Sequence, residues 1–220
     1  MLSFVLAESA LELVPKEIRN QPAVVSDARR RQKDSSEILL DRSFHHSAMS
    51  KLKDSEKRGR PDLVHVTLLS VTGTPLYLEG LVRVFVHTYD DVVLEIANKT
   101  RIPKNYLRFR GLMEEALVGR PEQGLIRVRP MEVRDLVRGL SADVVFGLSV
   151  QGKVMPLEEL ARLASAAASP CVIVGGFPHG HFSKGTLSAV DQLVRIHARP
   201  LEAHVVASRL VYEVEKAGTG

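Results

Sequence analysis

Tryptophan is absent from this 220-residue chain, and aromatic residues make up only 5% of it. The core must therefore be aliphatic, packed from Leu, Val, Ile and Ala. There is one cysteine, Cys171. A single thiol excludes a disulfide within the chain and a zinc site built on cysteines. Cys171 lies in an apolar run and reads as a small core residue, the alternative being a reactive thiol. Long hydrophobic runs are missing too. Met1 to Ala7 is apolar, but Glu8 and Glu12 cut it short and no basic segment precedes it. The expectation is a soluble, cytoplasmic protein with no membrane segment and no metal.

The bulk numbers are those of a globular protein: 45% hydrophobic, 25% charged. The length allows one large domain, or one core with an elaboration. The formal net charge is +4 and the pI about 9.3, which informs only if the excess is clustered. It is. Arg101 to Arg138 carries nine basic and five acidic residues, an excess equal to that of the whole chain. Arg101 to Arg110 alone holds four basic residues and no acid. Phosphate binding needs such a cluster; a solvated helix face is the competing reading.

Residues 2–7 read as a strand and 8–14 carry helical periodicity, with Pro15 as a stop. Asn20 to Asp41 is weakly patterned. Its Arg29-Arg30-Arg31-Gln32-Lys33 run reads either as a mobile solvated segment or as an RNA contact. Leu63 to Leu69 is apolar and partly β-branched, and is expected to be a strand. Leu81–Thr88 and Val92–Ile96 form an antiparallel hairpin with a turn at Asp90-Asp91. A helix opens near Arg101, with Tyr106, Phe109, Met113 and Leu117 as its buried stripe. The last third alternates: strand at Asp143–Ser149, helix from Pro156 to Ala168, strand at Cys171–Val174, short helix within Ser183–Leu193, junction at Ile196, helix from Leu201 to Lys216. That order implies a parallel sheet with crossovers. The wide apolar surface of the last helix suits burial against a second subunit.

Three places carry chemistry. Cys171-Val172-Ile173-Val174 ends abruptly in Gly175-Gly176-Phe177-Pro178-His179-Gly180, a buried strand running into a loop that backbone or ligand can approach closely. In an open α/β sheet, ligands sit at such carboxyl ends. The junction Arg195 to Leu201 has the same character. At Arg60-Pro61-Asp62 the proline fixes the backbone, so the carboxylate can orient the guanidinium through charge-assisted bonds; a plain surface ion pair is the bland alternative. His45-His46 invites a metal reading, but neighbours on a helix face different ways, and helix capping or packing near RNA is favoured.

In their order, Arg60-Pro61-Asp62-Leu63-Val64-His65, Arg101-Ile102-Pro103, Arg108-Phe109-Arg110-Gly111-Leu112-Met113, Gly175 to Gly180 and Pro200-Leu201 resemble the Nep/Emg family. These are SPOUT-class methyltransferases of small-subunit ribosomal RNA, and the likeness is to the archaeal members. The resemblance covers the chain from first strand to last helix. It implies an α/β trefoil-knot fold with a parallel sheet and an inserted antiparallel hairpin. It implies one domain over residues 1–220, with an RNA-binding elaboration around 75–100, and a homodimer. The implied activity is S-adenosylmethionine-dependent methylation of N1 of a pseudouridine in small-subunit rRNA, with a role in subunit biogenesis. The implied cofactor positions are Leu148, Gly175, Gly180, Ile196, His197, Ala198, Arg199, Pro200 and Leu201. The implied RNA contacts are Arg60, Arg101, Lys104 and Arg108, with Asp62 holding Arg60. An RNA-binding assembly factor with secondary or no catalysis is the alternative, and the retained glycine loop counts against it. The chain departs from the family at Lys104, where Arg is common, at Gly73-Thr74 in place of Asp-Ser, at Gly176 in place of Ala, and between Ile196 and Pro200.

Overall fold

The structure is a computed structural model that describes residues 1–98 and 100–218. Its strands are β1 (Leu2–Ser9), β2 (Val82–Thr88), β3 (Val92–Ile96), β4 (Ile126–Pro130), β5 (Val144–Val154), β6 (Pro170–Gly175) and β7 (Gln192–Arg195). The helices are α1 (Pro22–Arg30), α2 (Arg42–Met49), α3 (Pro61–Thr72), α4 (Pro75–Leu78), α5 (Tyr106–Leu117), α6 (Val133–Leu140), α7 (Leu157–Ala166), α8 (Lys184–Leu187) and α9 (Ala203–Gly218).

All seven strands join one sheet, in the order β4-β3-β2-β1-β6-β5-β7. β1 is its middle strand. Its side chains are buried along the whole length, because both faces are covered and, Ser3 apart, Leu2 to Ala7 are apolar. β1 pairs parallel with β2 and β6, and β5 pairs parallel with β6 and β7. The expected hairpin β2–β3 is present and antiparallel. It is continuous with the sheet through β2, and β4 extends it by a third antiparallel strand. One face of the sheet is packed by an aliphatic core that includes α3, α5, α7 and α9. The other carries Val5, Phe85, Cys171 and Ile173 under α6. Cys171 is fully buried, and burial pushes its thiol up to about 12, so it is inert packing. No described helix is long and apolar enough to cross a membrane.

Three expectations are corrected. Leu63–Leu69 belongs to helix α3, not a strand. Pro61 sits in its first turn, where a missing N–H costs nothing, and Val66 is exposed between buried Val64 and Thr67 as a helical turn requires. The hydroxyls of Thr67, Ser70 and Thr72 each donate to the carbonyl four residues back. Residues 8–14 form no helix. β1 runs on through Glu8, which takes a left-handed φ of 50°, and the chain then crosses to bridge Leu13 with Leu39. Glu8 and Glu12, the two acids of that stretch, are both buried and paired, with Lys57 and Arg58 respectively. The basic run at 29–33 closes helix α1. Arg31 and Lys33 bind Glu114, a fully buried carboxylate that also accepts from Leu39 N–H at 3.0 Å.

The other differences are smaller. The helix expected to open near Arg101 begins at Tyr106, after Asn105 caps it by accepting from Leu107 and Arg108 N–H. His45 is fully buried at the first turns of α2, where its Nδ1 accepts from Asp41 N–H. No group of three or more potential metal ligands exists among the described residues. Much of the apolar surface of α9 is spent within the chain, on α3 and α7, while Tyr212 stays 58% exposed.

A candidate cofactor cavity beside a basic face

The carboxyl-end loops of β6 and β7, together with the middle of β5, line a cavity of about 320 Å³. Its walls are Leu148 to Val150 from β5, Val174 to Phe182 without Gly176, and Arg195 to Val206 without Ala198, Glu202, His204 and Val205. Eight of the nine expected cofactor positions therefore meet in one place: Leu148, Gly175, Gly180, Ile196, His197, Arg199, Pro200 and Leu201. Ala198 is exposed and does not line it. Phe177, His179 and Arg195, which belong to the two junctions read from the sequence, also line it; sequence reasoning missed His181 and Val206. The floor is aliphatic and the rim is backbone and imidazole, a lining suited to a largely apolar ligand fixed by a few polar groups.

Glycine makes the close approaches. A side chain at Gly175 would meet the Phe177 ring at 2.9 Å. At Gly176 it would meet Ser9 Oγ at 2.3 Å and Ser9 Cα at 2.8 Å. The Gly176 backbone is fixed there on both sides: its N–H donates to Ala7 O, and its carbonyl accepts from Ala10 N–H, both at 2.8 Å.

Ala10 also leads to the substrate-side residues, because its carbonyl accepts from Arg60 N–H at 3.0 Å. Arg60 thus stands two backbone hydrogen bonds from the β6 loop. Its guanidinium donates to Asp62 through Nε and Nη2, each at 2.8 Å. This is the fork geometry that fixes a guanidinium in direction. Burial alone would raise the Asp62 carboxyl; the hydrogen bonds and charge of Arg60 outweigh it and hold it below the usual carboxylate range. Asp62 therefore stays ionised and is a poor proton acceptor at neutral pH. The charge of Glu202, next to Leu201 in the cavity wall, acts on Arg60 as well.

His65, one turn further along α3, ties in the basic segment. Its Nε2 lies 2.7 Å from Pro103 O, and its ring stacks on Phe109 of α5 with centroids 4.4 Å apart. Arg101, Lys104 and Arg108 all project into solvent around this joint. Arg101 and Arg108 line one open depression, together with Pro103, Gly111, Leu112, Glu115, Arg120, Glu122 and Leu125. Lys104 lies outside it. Arg120 is already bound by Glu115 and Glu37. Among the described residues, the side chains of Arg101, Lys104 and Arg108 make no hydrogen bond or ion pair.

A mixed sheet with a ligand cavity at its parallel carboxyl ends, next to unpaired cations, describes an α/β transferase acting on a polyanion. The chain belongs to the EMG1/NEP1 methyltransferase family, whose sequence model matches residues 4–215. It is 40% identical over 219 residues to the ribosomal RNA small subunit methyltransferase Nep1 of Thermococcus sibiricus, covering 98% of each chain. The Nep1 of Pyrobaculum calidifontis is 44% identical over 218 residues, with 97% of each chain covered. Among solved structures, Archaeoglobus fulgidus Nep1 bound to S-adenosylhomocysteine superposes with a TM-score of 0.88 at 37% identity, covering 99% of both chains.

Proposed function

We propose that this protein is an S-adenosylmethionine-dependent methyltransferase acting on N1 of a pseudouridine in small-subunit ribosomal RNA. The observation that carries the reading is the joining of two features through Ala10. One is a glycine-walled cavity; the other is an arginine aimed by its own carboxylate. The cavity fits the methyl donor: its lining combines aliphatic side chains, which suit an apolar contact, with the glycines, imidazoles and arginines of the two loops. When bound, the cofactor supplies an electrophilic methyl group on sulfur.

The chain's own residues do the rest by alignment. Arg101, Lys104 and Arg108 attract the phosphate backbone. Arg60, held by Asp62, fixes the target nucleotide at the cavity mouth. Pseudouridine is joined to ribose through carbon, so its N1 carries a proton and not a sugar. In the transfer N1 forms the new bond to the methyl carbon, the bond from carbon to sulfur breaks, and the N1 proton leaves to solvent. Asp62 is a poor acceptor for that proton, because the hydrogen bonds and charge of Arg60 hold its carboxyl below the usual carboxylate range. A flipped-out base reaches the cavity most simply.

In this reading residues 1–220 make one domain, and the β2–β3 region around 75–100 is its RNA-binding elaboration. The loops around β5, β6 and β7 form the knot, supported by β7 pairing beyond β5 and not beside β6. The active form is a cytoplasmic homodimer, supported by the exposed Tyr212 on the mainly apolar α9. Binding tests the reading directly. Calorimetry should show one S-adenosylhomocysteine per chain, and an RNA hairpin should bind with strong salt dependence. Absence of cofactor heat would refute it.

A further inference from the structure

The β6 loop, which forms one wall of the cavity, is packed by Phe177 and Phe182 but has few polar contacts holding it. Among the described residues, its backbone from Phe177 to Phe182 makes a single hydrogen bond, from Lys57 Nζ to His181 O at 2.6 Å. Lys57 comes from a short 3-10 turn, Ser55–Lys57, just before the Arg60 motif. The same ammonium donates to a Glu8 carboxylate oxygen at 2.6 Å and lies 4.2 Å from the centre of the Phe177 ring. Its stem runs along Gly180, whose φ of +97° favours glycine, and a Cβ added there would sit 3.3 Å from Lys57 Cε. The second Glu8 oxygen accepts from Ser183 N–H at 2.7 Å, where the loop enters α8.

Glu8 is itself set with care. It occupies the left-handed region, uncommon for a residue with a side chain. Its N–H donates to His87 Nδ1 at 3.2 Å, and His87 Nε2 reaches Asp91 at 3.0 Å. Lys57 and Glu8 are only 13% and 10% exposed in their side chains, so water screens their attraction little. One residue on from Lys57, Arg58 binds the buried Glu12, and two further on Arg60 N–H binds Ala10 O. Residues 57–60 thus zip along residues 8–12, with the cofactor loop fastened at one end and the substrate arginine at the other.

We propose that Lys57 and Glu8 are positioning residues that hold the β6 loop in its cofactor-binding shape, and so set cofactor affinity. Neither lines the cavity; both act through the loop. The inference rests on the cofactor reading of the cavity. A loop freed from its one polar tether must be ordered again by each incoming cofactor, which lowers affinity without changing the aligned, fully bound state.

The test is calorimetry with S-adenosylhomocysteine on purified protein, beside steady-state methyl transfer. Lys57→Met keeps the stem over Phe177 and removes the charge. It should raise the dissociation constant and the cofactor KM by about tenfold, within the usual range of coupling between sites. At saturating cofactor, kcat should stay within about twofold. Glu8→Gln should shift affinity the same way, and Lys57→Arg should recover most of it. Lys33→Met, which breaks a buried pair far from the loop, should lower the melting temperature without altering cofactor affinity. Should Lys57→Met fail to fold, Glu8→Gln carries the comparison alone. Wild-type affinity in folded Lys57→Met or Glu8→Gln overturns the clamp and leaves the cofactor reading intact. If the unsubstituted protein binds no S-adenosylhomocysteine, the cofactor reading fails and the clamp with it.

Discussion

Replacing both Arg101 and Arg108 with alanine removes two exposed cations that have no partner among the described residues. Each such cation, on meeting a phosphate, releases counterions worth about 0.7–0.9 in the slope of log affinity against log salt. The double variant should therefore lose about 1.4–1.8 from that slope. Between roughly 50 and 200 mM salt, this makes its affinity about tenfold less salt-sensitive than that of the parent. Asp62→Asn perturbs the same face in the opposite sense. The Arg60–Asp62 pair is half exposed, so losing it should change stability by no more than about 1 kcal/mol. It frees one cation, so RNA affinity should hold and the salt slope should steepen by about 0.7–0.9. Methyl transfer should nevertheless fall, by up to about a hundredfold, because the guanidinium is no longer aimed. Fluorescence anisotropy of a labelled small-subunit hairpin over a potassium chloride series reads the slopes, and calorimetry with S-adenosylhomocysteine is the control. An unchanged slope in Arg101→Ala/Arg108→Ala refutes the RNA-face assignment. So does a parallel loss of cofactor affinity.

Three stability predictions follow from buried groups. Glu114→Ala removes the fully buried carboxylate from Arg31 and Lys33, leaving them the longer contacts to Asp27 and Glu115, and should cost about 3 kcal/mol in urea unfolding; a loss below about 1 kcal/mol would contradict the network. Gly176→Ala presses a methyl group against Ser9, and should cost about 1–3 kcal/mol; unchanged unfolding would show that the loop shifts freely. Burial pushes His45 and His87 below their ordinary 6.5 and keeps them neutral. The unfolded chain then takes up protons that the folded one does not, so their stabilisation is present above about pH 6.5 and lost as pH falls below it, by up to about 1.4 kcal/mol per unit each. His87→Asn, which keeps an acceptor for Glu8 N–H, should flatten the fall in stability between about pH 7 and 5.5, and an equally steep fall would contradict it.

Where the sequence could be read, the physics was local. The run Cys171 to Val174 is short, apolar and closed by glycines, so only a buried strand and a tight loop fit it. The hairpin Leu81 to Ile96 carried its own turn residues. The bond between Arg60 and Asp62 needed only a proline-fixed backbone. Where reading failed, the decisive partner was distant. Leu63 to Leu69 is too uniformly apolar for periodicity to separate helix from strand, and α3 is settled by packing against α5 and α9. Pro61-Asp62 was still a usable signal, since proline and an acid suit a first helical turn. Residues 8–14 carry helical periodicity but form no helix, because Glu8 and Glu12 are held by Lys57 and Arg58, some fifty positions further along. β4 was legible in the alternation of Ile126, Arg127, Val128 and Arg129, but their charge drew them into the count of the basic segment. Ala10, which links the β6 loop to Arg60, has no side chain to mark it; its role lies wholly in its backbone.

The central claim is a single reaction at one cavity, and methyl transfer tests it most directly. The protein is incubated with S-adenosylmethionine labelled in the methyl group and two matched small-subunit hairpins, one bearing uridine and one pseudouridine at the target position. Label should enter the pseudouridine hairpin alone, at N1 by mass spectrometry of the digested nucleosides, and Arg60→Ala should abolish it. Label in the uridine hairpin, or in neither, would contradict the account.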